Sequence, residues 1–377
     1  MRSWKSANPT SNASSACRDQ SATSCLMRLS LRRVSGPSEH AENAHSAWPS
    51  RSGLLLELCV GGCRGFGEAS PLPGLSPDTL ESAATALGAL DLAAVERALD
   101  LEHTEDSLDA VASLLPQGKP AARMALETAV LDMRGHLRRR SAPALLGADS
   151  GATRALAWLV GAPDAGALDR IHGAQRAGYV HFKLKLGGPG NLKTELDRVQ
   201  ALRTALGAAP RLRIDVNRAW SLEQTRYACR ILETLDIEFL EEPSALLTKP
   251  LCSTIPLALD ESLRGLDPDD LAALARSSGA RVVVLKPMLL GGLSHCLTLG
   301  RRAAALNLSV IVSHSFDGPV ALTAAAALAL ALPGRAAPGL GAHPGIAAWP
   351  QLPLPIVDGR LHAWSGTGLG FASDPLT

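Results

Sequence analysis

Between about Arg154 and His314 the chain alternates short apolar runs with longer amphipathic ones. The runs ALAWLV, YVHFKLKL, RLRIDV, IEFLEE, PLALDE, RVVVLK and LSVIVSH are apolar nearly throughout. That is the pattern of strands buried on both faces, not of strands with one wet face. The stretches 191–206, 221–235, 266–278 and 292–306, which lie between or beside them, carry apolar residues at helical spacing. Alternating strand and helix predicts right-handed βαβ units and a parallel sheet, and seven or eight repeats favour closure into a barrel. The longest apolar run, Val320 to Leu332, is Ala-rich, too short to span a bilayer and closed by Pro333-Gly334. It reads as a buried helix.

The chain before this region has a different rhythm. MRLSLRRVSG alternates like a strand from Met27, and LLLELCV, a Gly-Gly turn and CRGFGEAS form a hairpin pattern from Gly53 onward. PLPGLSP follows as a loop. Ser76-Pro77-Asp78 reads as a helix cap with Pro at the first helical position, and helical patterns continue to about Leu137. The expected organisation is an α+β capping unit over 27–150 and a TIM-like α/β barrel over 151–345. Residues 346–377 complete the cap, where LPLPIVDGRLHAWSG looks like a strand pair returning to it. Residues 1–26 are Ser- and Asn-rich, without periodicity and without the apolar segment of a secretory signal; they are expected to be a disordered extension, with Met27 an alternative start.

Composition narrows the function. The 377 residues accommodate a barrel of about 200–250 residues and a second unit. A net charge of +1, 19% charged residues and 3% aromatics give no basic or base-stacking surface for nucleic acid. Nothing marks a membrane partner. The seven cysteines include no CxxC pair and fit free thiols in a reducing cytoplasm. Whether the chain works as a monomer or a homo-oligomer is open. Basic residues are skewed to 30 Arg against 7 Lys, yet three of those lysines close apolar runs. Lys can lose its proton at working pH and Arg cannot, so a titratable amine is needed there.

Five of the runs end in polar groups: FKLKLG, RIDVNRAW, FLEEP, ALDES and VVLKPM. They supply Lys183 and Lys185, Asp215, Glu241, Asp260 and Lys286. Parallel strands would aim these groups at one barrel rim. Lys183 and Lys185 are two apart and point to the same face of a strand. Two ammonium groups so placed raise each other's cost of protonation, so at least one pKa should fall and yield a usable base. Three converging carboxylates would repel one another, and a divalent metal resolves the repulsion. All-oxygen ligation suits Mg2+ or Mn2+.

The order Lys-x-Lys, Asp, Glu, Asp, Lys on consecutive strands resembles the enolase superfamily, muconate-lactonizing subgroup. The likeness covers nearly all of 53–345. It implies a (β/α)7β barrel covered by an α+β capping domain, and Mg2+ stabilising an enediolate formed by proton abstraction beside a carboxylate. GEASPLPGLSPDTLE, RIDVNRAW, FLEEP and LALDESL resemble the branch that dehydrates 2-succinyl-6-hydroxy-2,4-cyclohexadiene-1-carboxylate to 2-succinylbenzoate in menaquinone biosynthesis.

The resemblance implies roles residue by residue. Asp215, Glu241 and Asp260 match the metal ligands, Glu241 being the first Glu of FLEEP. Lys185 matches the acid/base, Lys286 the cation on the opposite face and Lys183 a supporting lysine. Arg213 and Asn217 match residues flanking the ligands. Ser313, Ser315 and the backbone near Gly318, in SHSFDGPVAL, are expected near the substrate's succinyl carboxylate, since a helix begins there with N–H groups to offer an anion. Capping by Ser315 or Asp317 explains the same residues. His314 has no acid on the preceding strand to form a dyad and reads as structural. Trp48 to Leu54 and Leu72 to Leu75 are candidate closing loops. Dipeptide epimerase and N-acylamino acid racemase activities share these lysines and ligands. GLGAHPGIAAW lacks the acids that an epimerase would use on its last strand.

Overall fold

The computed structural model describes residues 26–38, 41–188, 190–245, 250–251, 253–341 and 354–371. The expected disordered extension therefore lies outside the described residues except for Leu26. The first part of the chain is an antiparallel meander of β1 (Arg28–Pro37), β2 (Ser50–Val60) and β3 (Cys63–Ala69). Gly61 and Gly62 turn the β2–β3 hairpin with φ of 54° and 79°, a left-handed pair that Gly adopts without strain. Four helices follow: α1 (Leu80–Gly88), α2 (Leu92–Leu99), α3 (Thr104–Ser113) and α4 (Pro120–Arg138), then a single turn, α5 (Ala142–Leu145). The meander packs on α4 so closely that a Cβ on Gly67 would lie 1.8 Å from the Ala125 carbonyl oxygen. Only glycine permits that approach.

The first helix does not begin where Ser76-Pro77-Asp78 suggested. Thr79 is its N-cap, in a reciprocal capping box with Ser82. Asp78 instead caps α4, accepting the Ala121 N–H at 3.0 Å and the Ala122 N–H at 3.3 Å. The side chain has a capping residue's chemistry, but tertiary packing gives it to another helix.

The second part is a seven-stranded parallel sheet with helices. After β4 (Thr153–Ala155), which belongs to a separate small sheet, it runs through β5 (Ala157–Gly161), α6 (Ala167–Arg176), β6 (His181–Lys185), α7 (Leu192–Leu206), β7 (Arg211–Asp215) and α8 (Leu222–Leu232). Next come β8 (Ile237–Glu241), β9 (Leu257–Leu259), α9 (Leu271–Ser278), β10 (Ala280–Leu285), the short α10 (Pro287–Leu290), α11 (Gly292–Ala305), β11 (Ser309–Val312) and α12 (Pro319–Ala331). The strand order is β11-β10-β9-β8-β7-β6-β5. All seven apolar runs form these strands, and no helix separates β8 from β9 among the described residues. The segment just after α12 bridges the two sheet edges: the Gly339 N–H donates to Val312 O and the Ala157 N–H donates to Pro338 O, both at 2.9 Å. Phe239, Ala258, Val282, Val284 and Ile311 fill the space the sheet encloses. As its composition suggested, α12 is buried almost end to end.

The C-terminal strand pair exists, as β12 (Ile356–Val357) and β13 (Arg360–His362), but β13 pairs with β4 rather than with the β1–β3 meander. Among the described residues, those beyond it return to the first part. There the Gly368 N–H donates to Arg140 O at 2.9 Å and the Leu369 N–H to Asp132 Oδ1 at 2.7 Å. No helix among the described residues is long and apolar enough to cross a membrane.

Candidate active site

In-register parallel pairing sets the C-terminal ends of neighbouring strands side by side. Lys183 stands beside Arg213 and Lys185 beside Asp215, while Asp215 stands beside Glu241. The ends surround a cavity of about 840 Å³, counting its open mouth, lined by Lys183, Lys185, Asp215, Glu241, Lys286 and the Ser313–Phe316 turn. Asn43, Trp48, Leu72 and Leu75 reach into it from the first part of the chain. Both expected closing segments thus contribute walls. The indole N–H of Trp48 ties them together by donating to Pro73 O at 2.9 Å.

The two lysines of β6 have opposite electrostatics. The Lys183 ammonium donates to both Glu241 oxygens at 2.7 and 2.8 Å and lies 2.9 Å from Asp215 Oδ2. Burial disfavours its charge, but the carboxylates of Asp215 and Glu241 outweigh this and its pKa rises. Lys185 makes no ion pair with a carboxylate among the described residues. It donates to Glu42 O at 3.1 Å and faces the Phe316 ring at 5.9 Å. Burial lowers its pKa; Asp215 opposes this, while the charges of Lys183 and Lys286 add to the lowering, and the net direction is down. Of the pair, Lys185 gives up its proton the more readily.

Lys286, at the end of β10, is salt-bridged to Asp260. Burial opposes its charge, yet Asp260, Glu241 and Glu261 hold its pKa above the ordinary lysine value. Asp215 goes down, because three lysines overcome the effect of burial. Glu241 is pushed up to about 7 by burial and by the neighbouring charge of Asp215. As posed, no three His, Cys, Asp or Glu side chains among the described residues form a metal-binding group. Lysine ammonium groups hold the acids instead.

The remaining candidates divide. Arg213 lines the cavity, but its donors face protein: Nε and Nη2 go to Glu238 at 2.7 and 3.3 Å, and Nη1 to Ala337 O at 2.7 Å. Asn217, at φ 48°, donates its amide to Glu261 at 3.3 Å, and its Oδ1 is buried without a partner among the described residues. Ser313 donates to Gly339 O at 3.2 Å, whereas the buried Ser315 Oγ has no hydrogen-bond partner among the described residues. His314 accepts from the Phe316 N–H at 3.0 Å and also lines the cavity. The N–H groups expected to be free near Gly318 are taken. Glu68, buried at the end of β3, accepts from Gly318 at 2.6 Å, Val320 at 3.1 Å and Ala321 at 3.2 Å. An internal carboxylate already caps α12, so this helix start offers nothing to a substrate anion.

Two cavity features were missed in the sequence. Glu261 lines the wall, pushed up to about 8 by burial and by Asp260; its only signal was adjacency to Asp260. The 41–48 loop comes down onto the rim, where the His45 ring nitrogen Nε2 lies 2.7 Å from Asn217 O. Nothing in its composition announces that contact.

Paired lysines of opposite character facing buried acids at the ends of parallel strands make a site equipped for proton transfer. The match of residues 167–376 to the enolase C-terminal domain-like family places this chain in that family. The chain is 27% identical to an o-succinylbenzoate synthase of Pasteurella multocida (strain Pm70) over 327 residues, 82% of this chain and 88% of that protein. It is 30% identical to muconate cycloisomerase 1-1 of Acinetobacter lwoffii over 286 residues, 73% of each. Its fold matches the crystal structure of the muconate lactonizing enzyme from Pseudomonas fluorescens complexed with muconolactone. That likeness has a TM-score of 0.80 at 23% identity, covering 93% of this chain and 97% of the other.

Proposed function

We propose that the chain is an o-succinylbenzoate synthase. It would dehydrate 2-succinyl-6-hydroxy-2,4-cyclohexadiene-1-carboxylate to 2-succinylbenzoate for menaquinone biosynthesis in the cytoplasm. One observation carries the chemistry. Lys185, an amine with a lowered pKa, stands four strands away from Lys286, an ammonium with a raised one, and both line the same cavity. The substrate is supported by the synthase relative and by the NRAW and GEASPLPG strings. We read the segment that bridges β11 and β5 as the eighth stave of a (β/α)7β barrel.

Asp215, Glu241 and Asp260 would hold a hard divalent ion, Mg2+ or alternatively Mn2+, in exchange for the lysine contacts they make here. They are buried and offer only oxygen, and burial together with the charges of Asp215 and Asp260 pushes Glu241 up to about 7. Bound there, the ion supplies Lewis acidity that makes the proton next to the substrate carboxylate removable. Lys185 takes that proton. The C–H electron pair moves into the ring, and the C–O bond breaks with its electrons on the leaving hydroxyl. Lys185 returns the proton to that hydroxyl, so water departs and the ring becomes aromatic. The Lys286 ammonium faces the developing negative charge and adds a cation–π attraction to the forming ring. Trp48, Leu72 and Leu75 keep bulk water from the intermediate.

The test is incubation with the cyclohexadiene substrate and Mg2+, following the aromatic product by absorbance. Turnover is expected. No turnover, together with racemisation of N-acylamino acids or epimerisation of dipeptides, would move the assignment to those activities, which need the same lysines.

A further inference from the structure

Arg51 opens β2 and is 1% exposed, yet it does not line the cavity. Its guanidinium binds three carbonyls at once. Nη2 donates to Ser70 O at 2.8 Å and Nη1 to Pro71 O at 3.2 Å, while Nε donates to Phe316 O at 3.1 Å. The first two carbonyls begin the loop that carries Leu72 and Leu75 into the cavity. The third lies in the turn that carries Ser313 to Phe316 into it from the opposite wall. Phe316 itself has φ 54°, a left-handed conformation costly for an aromatic residue unless its surroundings impose it. The surroundings do so from both sides. Glu68 fixes the next residues by accepting from the Gly318, Val320 and Ala321 N–H groups, and Asp317 Oδ1 accepts from Ser315 N–H at 3.3 Å.

We infer that Arg51 and Glu68 are positioning residues for the reaction. They act through the Ser313–Phe316 turn. Arg51 sets its carbonyl ridge and Glu68 anchors its exit, so that the unpartnered Ser315 Oγ and the Phe316 ring, which faces Lys185, keep one geometry. This rests on the proposed reaction for its kinetic consequence but not for its structural one. The two are therefore tested separately.

The informative variant is Arg51→Lys, which keeps a positive charge beside Asp317 and Glu68 while losing the three-pronged fork. Hydrogen exchange of the substrate-free protein should quicken about tenfold or more over residues 313–321, as expected for losing a charge-assisted hydrogen bond, while the interior of α4 stays protected. Unchanged exchange in 313–321, or the same acceleration everywhere, would overturn the positioning role. In the dehydration assay, kcat/KM per folded molecule should fall about tenfold to a hundredfold, the range for a small misplacement of reacting groups. The effects of Arg51→Lys and Ser315→Ala should combine less than multiplicatively, because they act through one turn. Independent multiplication, or activity per folded molecule equal to wild type, would refute the inference. Glu68→Gln, which keeps an acceptor, should preserve more activity than Glu68→Ala; equal losses would also count against it. If the wild-type enzyme does not turn over the cyclohexadiene, the proposed reaction fails alone, and the exchange pattern still decides the positioning.

Discussion

Lys185→Met separates catalysis from stability. The substitution keeps an apolar stem of similar length and removes only the amine. Among the described residues that amine donates one hydrogen bond, to Glu42 O, and its charge is opposed by burial and by Lys183 and Lys286. Its folded pKa lies below the unfolded lysine value of 10.5. The folded state therefore binds its proton less tightly than the unfolded state does. Charged Lys185 lowers stability at any pH below its folded pKa, and the penalty disappears as pH rises through the unfolded value. Removing the amine should leave the melting temperature at pH 7 unchanged or higher, with the difference from wild type shrinking toward pH 10.5. Turnover should drop by about 10²–10⁴-fold, the contribution of a positioned general base. In the wild type, kcat/KM should rise with pH through an apparent pKa below 10.5, and the variant should lose that limb. Paired assays of aromatic product and of thermal melting from pH 6 to 10 give both readings. Retention of more than about a tenth of wild-type turnover, far above what loss of a base allows, or a melt clearly depressed at pH 7, would refute the reasoning.

Two further outcomes follow from the buried acids. Chelation should abolish turnover and added Mg2+ restore it. Because Glu241 is held up to about 7 by burial and by Asp215, Mg2+ binding should release a proton and tighten from pH 6 to 8, as calorimetry in buffers of different ionisation enthalpy can measure. Glu127 of α4 accepts from the N–H and hydroxyl of Ser294 at 2.9 and 3.0 Å and also from the Leu293 N–H. Burial raises its pKa to about 8, so its ionisation destabilises the fold as pH climbs from about 4.5 to 8. Glu127→Gln should flatten that slope in urea titrations, whereas Glu127→Ala, leaving two buried N–H groups unpaired, should cost about 1–3 kcal/mol per group.

The strands and the polar groups at their ends could be read from the sequence because both signals are local. An apolar run with Lys or Asp at its end says the same thing in any tertiary setting. Capping could not be read in this way. Asp78 was assigned to the helix next to it and instead serves one 43 residues on. Glu68 looked like part of a cap motif, and it fills the helix start 250 residues away that was expected to be open. Arg51 is one arginine among 30, flanked by serines, and only folding reveals that it holds two loops. The split between Lys183 and Lys185 was half visible. Their shared face could be seen, but which amine keeps its proton depends on Glu241 reaching one and not the other.

Glu68 and Glu127 have a consequence for how such proteins can be recombined. Each belongs to the covering part, and each completes the first turn of a helix in the parallel part, α12 and α11 respectively. The parallel part produced alone would carry two helices with bare donors at their starts. A cover borrowed from a relative would have to bring an acid at both places, at the right depth. The seam between the two parts is therefore not a modular joint. Heritable changes of substrate are more accessible through the loops at the cavity mouth than through exchange of the whole cover.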